Sequence, residues 1–525
     1  MTVAGAKPEH YDCIVIGGGH NGLVCAAYLA KGGRRVLVLE AANAVGGAAA
    51  TREFAPGYRV SCGAHLLHLM PRALMQELAL AQQGLRFAHE AMPTTALSAT
   101  GAALSLGIDG GRALSGVSSA DTLAYPKYVS QLQRLANALR PVMASIPPRL
   151  GTDGWSDRLA LLRLAWHVRR LGRRDMRELL RIIGMNVHDL LVEHFETPLL
   201  QGALGFDAVL GANLGPRSPG TVLSLLYRLA AQSDDARLAQ PVGGMGALSD
   251  ALAKAAATAG ATILTGSAVA RIDVAEDRVA GVTLKSGHAF SGEVVVSSCD
   301  PQTTFLGLLG TQHLDTGFVR RVTHLRTRGL AAKLHLALDA LPKFAHVPAA
   351  ALTGRLLIAP SLQYIERAYN HAKYGEFSSE PIMEITVPTV NDASLAPHGK
   401  HVLSAIVQYA PYALKAGWQQ ERQRFTDLAV ATLERYAPGL TGSINYAQLL
   451  TPVDIEREFR INGGHWHHVD LAFDQFFMVR PVPGAAQYQT PMAGLYLCGA
   501  GSHPGGGVMG AAGRNAARQV LQRAA

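Results

Sequence analysis

Residues 11–40, YDCIVIGGGHNGLVCAAYLAKGGRRVLVLE, decide the fold. YDCIVI is a short apolar run of the kind that forms a buried parallel strand. GLVCAAYLAKG then carries a helix that stops at Gly32-Gly33, and RVLVLE supplies a second strand. Between the first strand and the helix stands Gly17-x-Gly19-x-x-Gly22, the context a dinucleotide fingerprint requires. Gly17 permits the tight turn, Gly19 lets the backbone approach a pyrophosphate, and Gly22 allows the helix to pack closely on the strand. The helix N-terminus meanwhile faces the phosphate charge. Glu40 closes the second strand 18 residues after Gly22, where a carboxylate accepts hydrogen bonds from adenosine ribose hydroxyls and disfavours a 2′-phosphate. NADP is therefore a poor fit.

Working outward, ATILTG, SAVARIDV, RVAGVTLKSG and HAFSGEVVVSS over 261–298 read as further strands, and GLYLCG at 494–499 as another before a final helix. The expected fold class is α/β: a Rossmann-type FAD-binding domain with an inserted α+β substrate domain. Residues 1–70, 236–305 and 481–525 are assigned to a discontinuous FAD-binding domain. Residues 71–235, mainly a helical cap, and 306–480 form the substrate domain. Two glycine-rich segments favour FAD over NAD. VGGAAAT brings Gly46 and Gly47 close to an extended cofactor. GLYLCGAGSHPGGGVMGAAGRNAARQVL offers a turn at Gly505-Gly506-Gly507 into a helix starting near Val508, whose amides can hold the pyrimidine edge of a reduced flavin. PVGGMGAL at 241–248 follows no strand pattern and is not read as a second nucleotide site.

These segments, together with QPVGGMGALSDALAKAA, VVVSSCDP, LAPHGKHVLSAIVQYAP and FFMVRPVPGAAQYQTPMAGLYLCGAGSHPGGGVMGAAGRNAA, resemble the phytoene desaturase-like branch of the FAD-dependent amine oxidase superfamily. The likeness is greatest to the bacterial relatives of pyridine nucleotide-disulfide oxidoreductase domain-containing protein 2 and of the β-carotene ketolases. It covers most of 11–65, 240–302 and 328–525 and is loose over 70–235. The resemblance implies that Glu40 binds ribose and that Gly17, Gly19, His20, Asn21 and Gly22 surround the diphosphate, with Gly46 and Gly47 nearby. It also implies that Val269 clasps the adenine through its backbone. Gly499 and Ala500 would follow the diphosphate and ribityl chain, and Pro504, Gly507, Val508 and Met509 would lie at the flavin. Two departures stand out: the superfamily's Gly-Gly-Arg reads Gly47-Ala48 here, and its Gly-Asp reads Gly499-Ala500. Both remove a charged contact, which shifts phosphate and ribityl binding onto backbone groups.

Flavin performs the redox step, so the chain's task is to place a substrate C–H against it and exclude water. In LAAKLHLAL, alternation puts Lys333 and His335 on one strand face. Amine oxidases hold a lysine on the corresponding strand near the flavin through water, and an outward polar face is the competing reading. GGHWHHVD supplies His465, His467 and His468 as pocket wall or proton relay. With no HxxxH helix or carboxylate pattern, no metal is expected. SCGAHLLHLM carries Cys62, His65 and His68, and His503 sits inside the flavin loop. Lys333, His503 and His468 are the candidate catalytic residues. The leading expectation is dehydrogenation or oxygenation of an elongated apolar, polyene or lipid-like substrate, with oxygen or a quinone as electron acceptor. The alternatives are oxidation of a small amine, which Trp466, Phe476 and Phe477 would suit, flavin-assisted isomerisation, and a non-catalytic flavin-binding module.

With 525 residues, 48% hydrophobic and 17% charged, the chain has enough apolar mass for a large buried ligand. Its five cysteines are scattered and never spaced as CxxC, which argues for a reduced, cytoplasmic setting and against a dithiol pair. The N-terminus reads as lacking a secretory signal, and no run of about 18 apolar residues suits a membrane span. The net charge of +9 is uneven, for residues 155–181 hold eight arginines against three acids. A solvated helix face and peripheral contact with an anionic membrane both fit that charge. Nucleic acid does not, because no aromatic-interleaved basic platform accompanies it.

Overall fold

Strand Ala289–Ser297 is bordered by three other segments of the chain. It pairs in parallel with Glu9–Ile16 and with Leu495–Leu497, and antiparallel with Arg278–Leu284. The computed structural model, which describes residues 8–106, 116–149, 154–231 and 238–523, builds its first sheet around this strand. The order is Val269–Ala275, Arg278–Leu284, Ala289–Ser297, Glu9–Ile16, Val36–Leu39, Thr262–Leu264, with Leu495–Leu497 also on Ala289–Ser297. Its central parallel strands, Glu9–Ile16 and Val36–Leu39, carry near-continuous apolar runs because both of their faces are covered. Cys13, Ile14, Val15 and Val36–Leu39 are buried accordingly.

Helix His20–Lys31 packs against helix Ala511–Arg523 from the C-terminus and against helix Met245–Thr258. Glycines set this closeness. A Cβ on Gly22 would stand 2.1 Å from the carbonyl oxygen of Gly17, and one on Gly513 would stand 2.1 Å from that of Asn21. The last helix begins at Ala511 and not near Val508, because Val508 (φ 58°) and Gly510 (φ 71°) hold left-handed conformations that a helix cannot continue.

A second sheet runs Ile444–Leu450, Ala331–Leu338, His401–Gln408, Ile382–Thr386, Arg355–Ile358, Thr94–Ala96, Leu104–Leu106. It is antiparallel except where Arg355–Ile358 meets Thr94–Ala96. Every residue of Ala331–Leu338 is buried, which rules out the outward polar face for Lys333 and His335. Among the described residues, six helices between Ser119 and Ala231 lie over one end of this sheet, their core joining Leu135, Leu191, Phe206 and Leu226 to Leu357 and Ile406. No helix among the described residues is long and apolar enough to cross a membrane.

A direct consequence concerns Gly22. Gly22→Ala forces the first helix off the Gly17 turn, so it should cost on the order of 1–3 kcal/mol and reduce the flavin retained on purification. Thermal melting and visible flavin absorbance check both.

Candidate active site

The first strand ends in a cavity of about 610 Å³ whose wall includes Gly17, Gly19, His20, Asn21, Glu40 and Gly46. Gly47, Val269, Ala500 and His468 line it as well. The turn geometry is set by backbone contacts. Gly46 donates its N–H to the carbonyl of Gly18 at 2.9 Å, and Gly47 (φ 55°) brings its backbone against Gly19. A Cβ on Gly19 would meet nothing within 4 Å, so this backbone borders open space. Helix His20–Lys31 opens there with no side-chain cap and no acid in its first turn, leaving its amides for an anion. The Nε2 of His20 and the Oδ1 of Asn21 are buried without partners.

Glu40 is fixed by two amides, Gly18 N–H to Oε2 and Ala42 N–H to Oε1, both at 2.7 Å. Each carboxylate oxygen keeps a second acceptor position, which suits the two ribose hydroxyls. An uncapped helix start, two facing glycine turns and a pinned carboxylate together match the phosphates and ribose of FAD. Of the remaining expected residues, Gly22 lies behind the turn. Gly499 presses on the carbonyls of Ser298 and Cys299, where a Cβ would come within 2.5 Å.

The C-terminal loop reaches the cavity through a residue that sequence reading missed. Arg480, fully buried, donates Nη1 to the carbonyls of Asp470 and Gln475 and Nη2 to those of His467, Val469 and Ala500, at 2.8–3.2 Å. One guanidinium therefore ties the His465–Val469 segment to Ala500. Within that segment His465 donates to Asp470 at 2.8 Å, while the Nδ1 atoms of His467 and His468 have no partners. Burial pushes the His468 imidazole down to about 4, so it is neutral at ordinary pH.

Beside the nucleotide cavity lies a second chamber of about 130 Å³, and His20, Ala48, Phe459 and Trp466 line both. Leu66, Leu69, Leu210, Ile406, Leu471 and Val508 make its walls apolar. Gly507 and Val508 face it, whereas Met509 lies behind, within 3.8 Å of the Tyr227 hydroxyl. At one end sits a buried polar group. Neutral His65 donates Nε2–H to Glu384 at 2.8 Å, Arg355 bonds the other oxygen of Glu384, and Arg355 also grips Asp207 at 2.6 Å. Arg228 adds a contact to Asp207 at 3.4 Å. Burial holds His65 down at about 4 and His68 at about 3. Lys333, 1% exposed, presents an Nζ with no hydrogen-bond partner, and burial drags its amine down to about 7.

His503 lines neither chamber. Its Nε2 donates to the carbonyl of Val142 at 2.8 Å and its ring rests on Phe477, so it anchors the loop to helix Ser119–Ala144. Pro504 follows it, buried in the same loop. His335 packs on Phe54, and the Cys62 thiol points to the carbonyl of Val60. Phe476 stacks edge-on against Tyr227, so of the three aromatics proposed for an amine cage only Trp466 faces the chamber. Glu384 and Arg355 went unread, although a single charge inside the apolar runs PIMEITV and GRLLIAP is the signal that marks them.

A dinucleotide cradle joined to an apolar chamber defines an FAD-dependent oxidoreductase. The chain matches the family model for flavin containing amine oxidoreductase over residues 22–521 and belongs to that family. It is 37% identical to pyridine nucleotide-disulfide oxidoreductase domain-containing protein 2 of Mus musculus, across 98% of this chain and 94% of that one. A phytoene desaturase (lycopene-forming) from a Paracoccus species is 26% identical over 98% of each chain. The solved structure of putrescine oxidase bound to putrescine shares the fold, with a TM-score of 0.61, 14% identity and coverage of 98% and 99%.

Glu40→Gln removes the charge that accepts from both amides and ribose, and should weaken FAD binding about tenfold, read by fluorescence titration of the apoprotein. Lys333 gives a pH signature. Between about pH 7 and its ordinary 10.5 the unfolded chain binds a proton at this amine that the fold does not. Stability therefore rises with pH through that window, and the full cost of the buried charge falls below it. The melting temperature of Lys333→Met minus that of the wild type should accordingly shrink from pH 6 to pH 9, and a difference flat across that range would contradict the assignment.

Proposed function

We propose that the chain dehydrogenates an apolar substrate whose reacting segment sits in the chamber between Trp466, Leu210 and Val508. The observation that carries this reading is that the chamber is walled by aliphatic side chains while both of its carboxylates are already engaged. Glu384 is held by Arg355 and His65, and Asp207 by Arg355 and Arg228. A substrate ammonium finds no free anion there, which weighs against a small amine. The likeness to a lycopene-forming phytoene desaturase runs in the same direction. At about 130 Å³ the chamber takes a short apolar segment, so a long chain would extend beyond it.

FAD held in the cradle would supply two-electron, hydride-acceptor chemistry, with oxygen or a quinone as the final electron acceptor. The chain's own residues do the rest. Phe459 and Trp466 separate the two spaces and exclude water, and the unpartnered Nζ of Lys333, neutral above about pH 7, receives the proton lost with the hydride.

Anaerobic mixing decides the substrate class. A polyene, terpene or acyl chain should bleach the bound flavin while putrescine leaves it yellow, and the reverse result would overturn the reading. Lys333→Met should slow bleaching on the order of 10²-fold with little change in the substrate concentration needed for half-saturation.

A further inference from the structure

Helix Trp155–Arg170 carries apolar residues on two opposite sides. Leu161, Leu164 and Val168 are turned toward the protein and partly buried, which explains why aliphatic positions occur in most helical directions. Trp155, Leu159, Leu162 and Trp166 are 76%, 48%, 65% and 62% exposed. At 3.6 residues per turn those four positions fall within about 60° of arc, a single outward stripe running nearly the length of the helix. Large exposed apolar stripes on a folded chain mark a surface made to be covered.

Charge identifies the cover. Arg158 and Arg169 border one edge of the stripe and Arg163 and Arg170 the other, each within about 40° of it, and all four are exposed. Arg173, Arg174 and Arg177 continue the basic surface onto helix Gly172–Ile182. Arg163, Arg169, Arg170, Arg173 and Arg177 enter no ion pair among the described residues, whereas Arg181 is taken by Glu178 and Glu193. A second copy of this chain would set like-charged flanks against each other, which disfavours self-association. Indole and leucine at the centre with guanidinium on both sides is the arrangement that beds into the boundary between acyl chains and anionic headgroups.

We propose that helix Trp155–Arg170 docks the protein onto an anionic lipid bilayer, with Trp155, Leu159, Leu162 and Trp166 entering the interface and the flanking arginines contacting headgroup phosphates.

The test uses full-length, FAD-loaded protein sedimented with vesicles of phosphatidylcholine alone or mixed with phosphatidylglycerol. The protein should sediment with the mixed vesicles and far less with the neutral ones, and its tryptophan emission should move to the blue. Arg169→Gln and Arg170→Gln should each weaken binding about fivefold, and Trp155→Ser with Trp166→Ser should abolish both sedimentation and the blue shift. Flavin content and melting temperature, unchanged in these surface variants, show that the fold survives. Absence of sedimentation with mixed vesicles overturns the proposal. So does binding that needs the arginines but not the tryptophans, which denotes a polyanion partner, or concentration-dependent self-association lost in the tryptophan variant, which denotes a second copy.

Discussion

Everything at the nucleotide cavity depends on one strand holding two distant parts of the chain side by side. Ala289–Ser297 pairs with Glu9–Ile16 along its length and with Leu495–Leu497 at its C-terminal end, so Gly17 and Gly499 leave the sheet as neighbours. Parallel pairing of this kind needs long crossovers, and here the crossovers are the insertions that build the second sheet and its helices. The chamber is thus a product of topology: the segments between the nucleotide strands have to return to the same edge, and they enclose it as they do. Glycine then sets the tolerances. With a Cβ on Gly22 or Gly513 falling only 2.1 Å from a backbone carbonyl oxygen, the two helices flanking the turn lie as close as backbones allow.

The two departures from the superfamily's pattern make sense in that frame. With Ala48 and Ala500 in place of charged residues, grip on a dianionic diphosphate has to come from fixed backbone dipoles, and these act only if the loops carrying them are rigid. Arg480 provides that rigidity on one side. A buried guanidinium whose Nη groups meet five carbonyls leaves the His465–Val469 loop little freedom relative to Ala500. Burial lowers its pKa to about 10, still protonated at neutral pH, so these bonds remain charge-assisted. On the other side, Glu40 does the same for Gly18 and Ala42.

Much of this was legible in the sequence wherever a local pattern had a local cause. The first strand, its glycine turn, Glu40 and the strands within 261–298 obey short-range rules of periodicity and turn chemistry, and they stand where those rules put them. His503 did not follow from proximity in sequence. It lies in the flavin loop, yet its imidazole is drawn to Val142, a residue 361 positions away that no local pattern reveals. The Val508 helix start failed for a related reason, because a left-handed residue after three glycines cannot be read from residue type alone. Arg355, Glu384 and Asp207 come from two strands and a helix, so their meeting is a property of the second sheet's register, in which Leu357 pairs with Glu384.

That network also explains how an apolar chamber tolerates so much charge. An isolated carboxylate at the depth of Glu384 would be expelled or protonated. With Arg355 and His65 on its two oxygens it stays ionised, and the desolvation cost is met inside the protein and not by the substrate. Asp207 and Arg228 extend the same compensation, so the ions cancel pairwise and the wall stays mostly apolar, with His20 Nε2, His68 Nδ1, Ser224 Oγ and His467 Nδ1 among the unpartnered polar atoms of its lining residues. Lys333 is left over. It has no hydrogen-bond partner, and burial holds its amine down at about 7, so its protonation changes near neutrality, whereas burial keeps the neighbouring His65 and His68 well below that range.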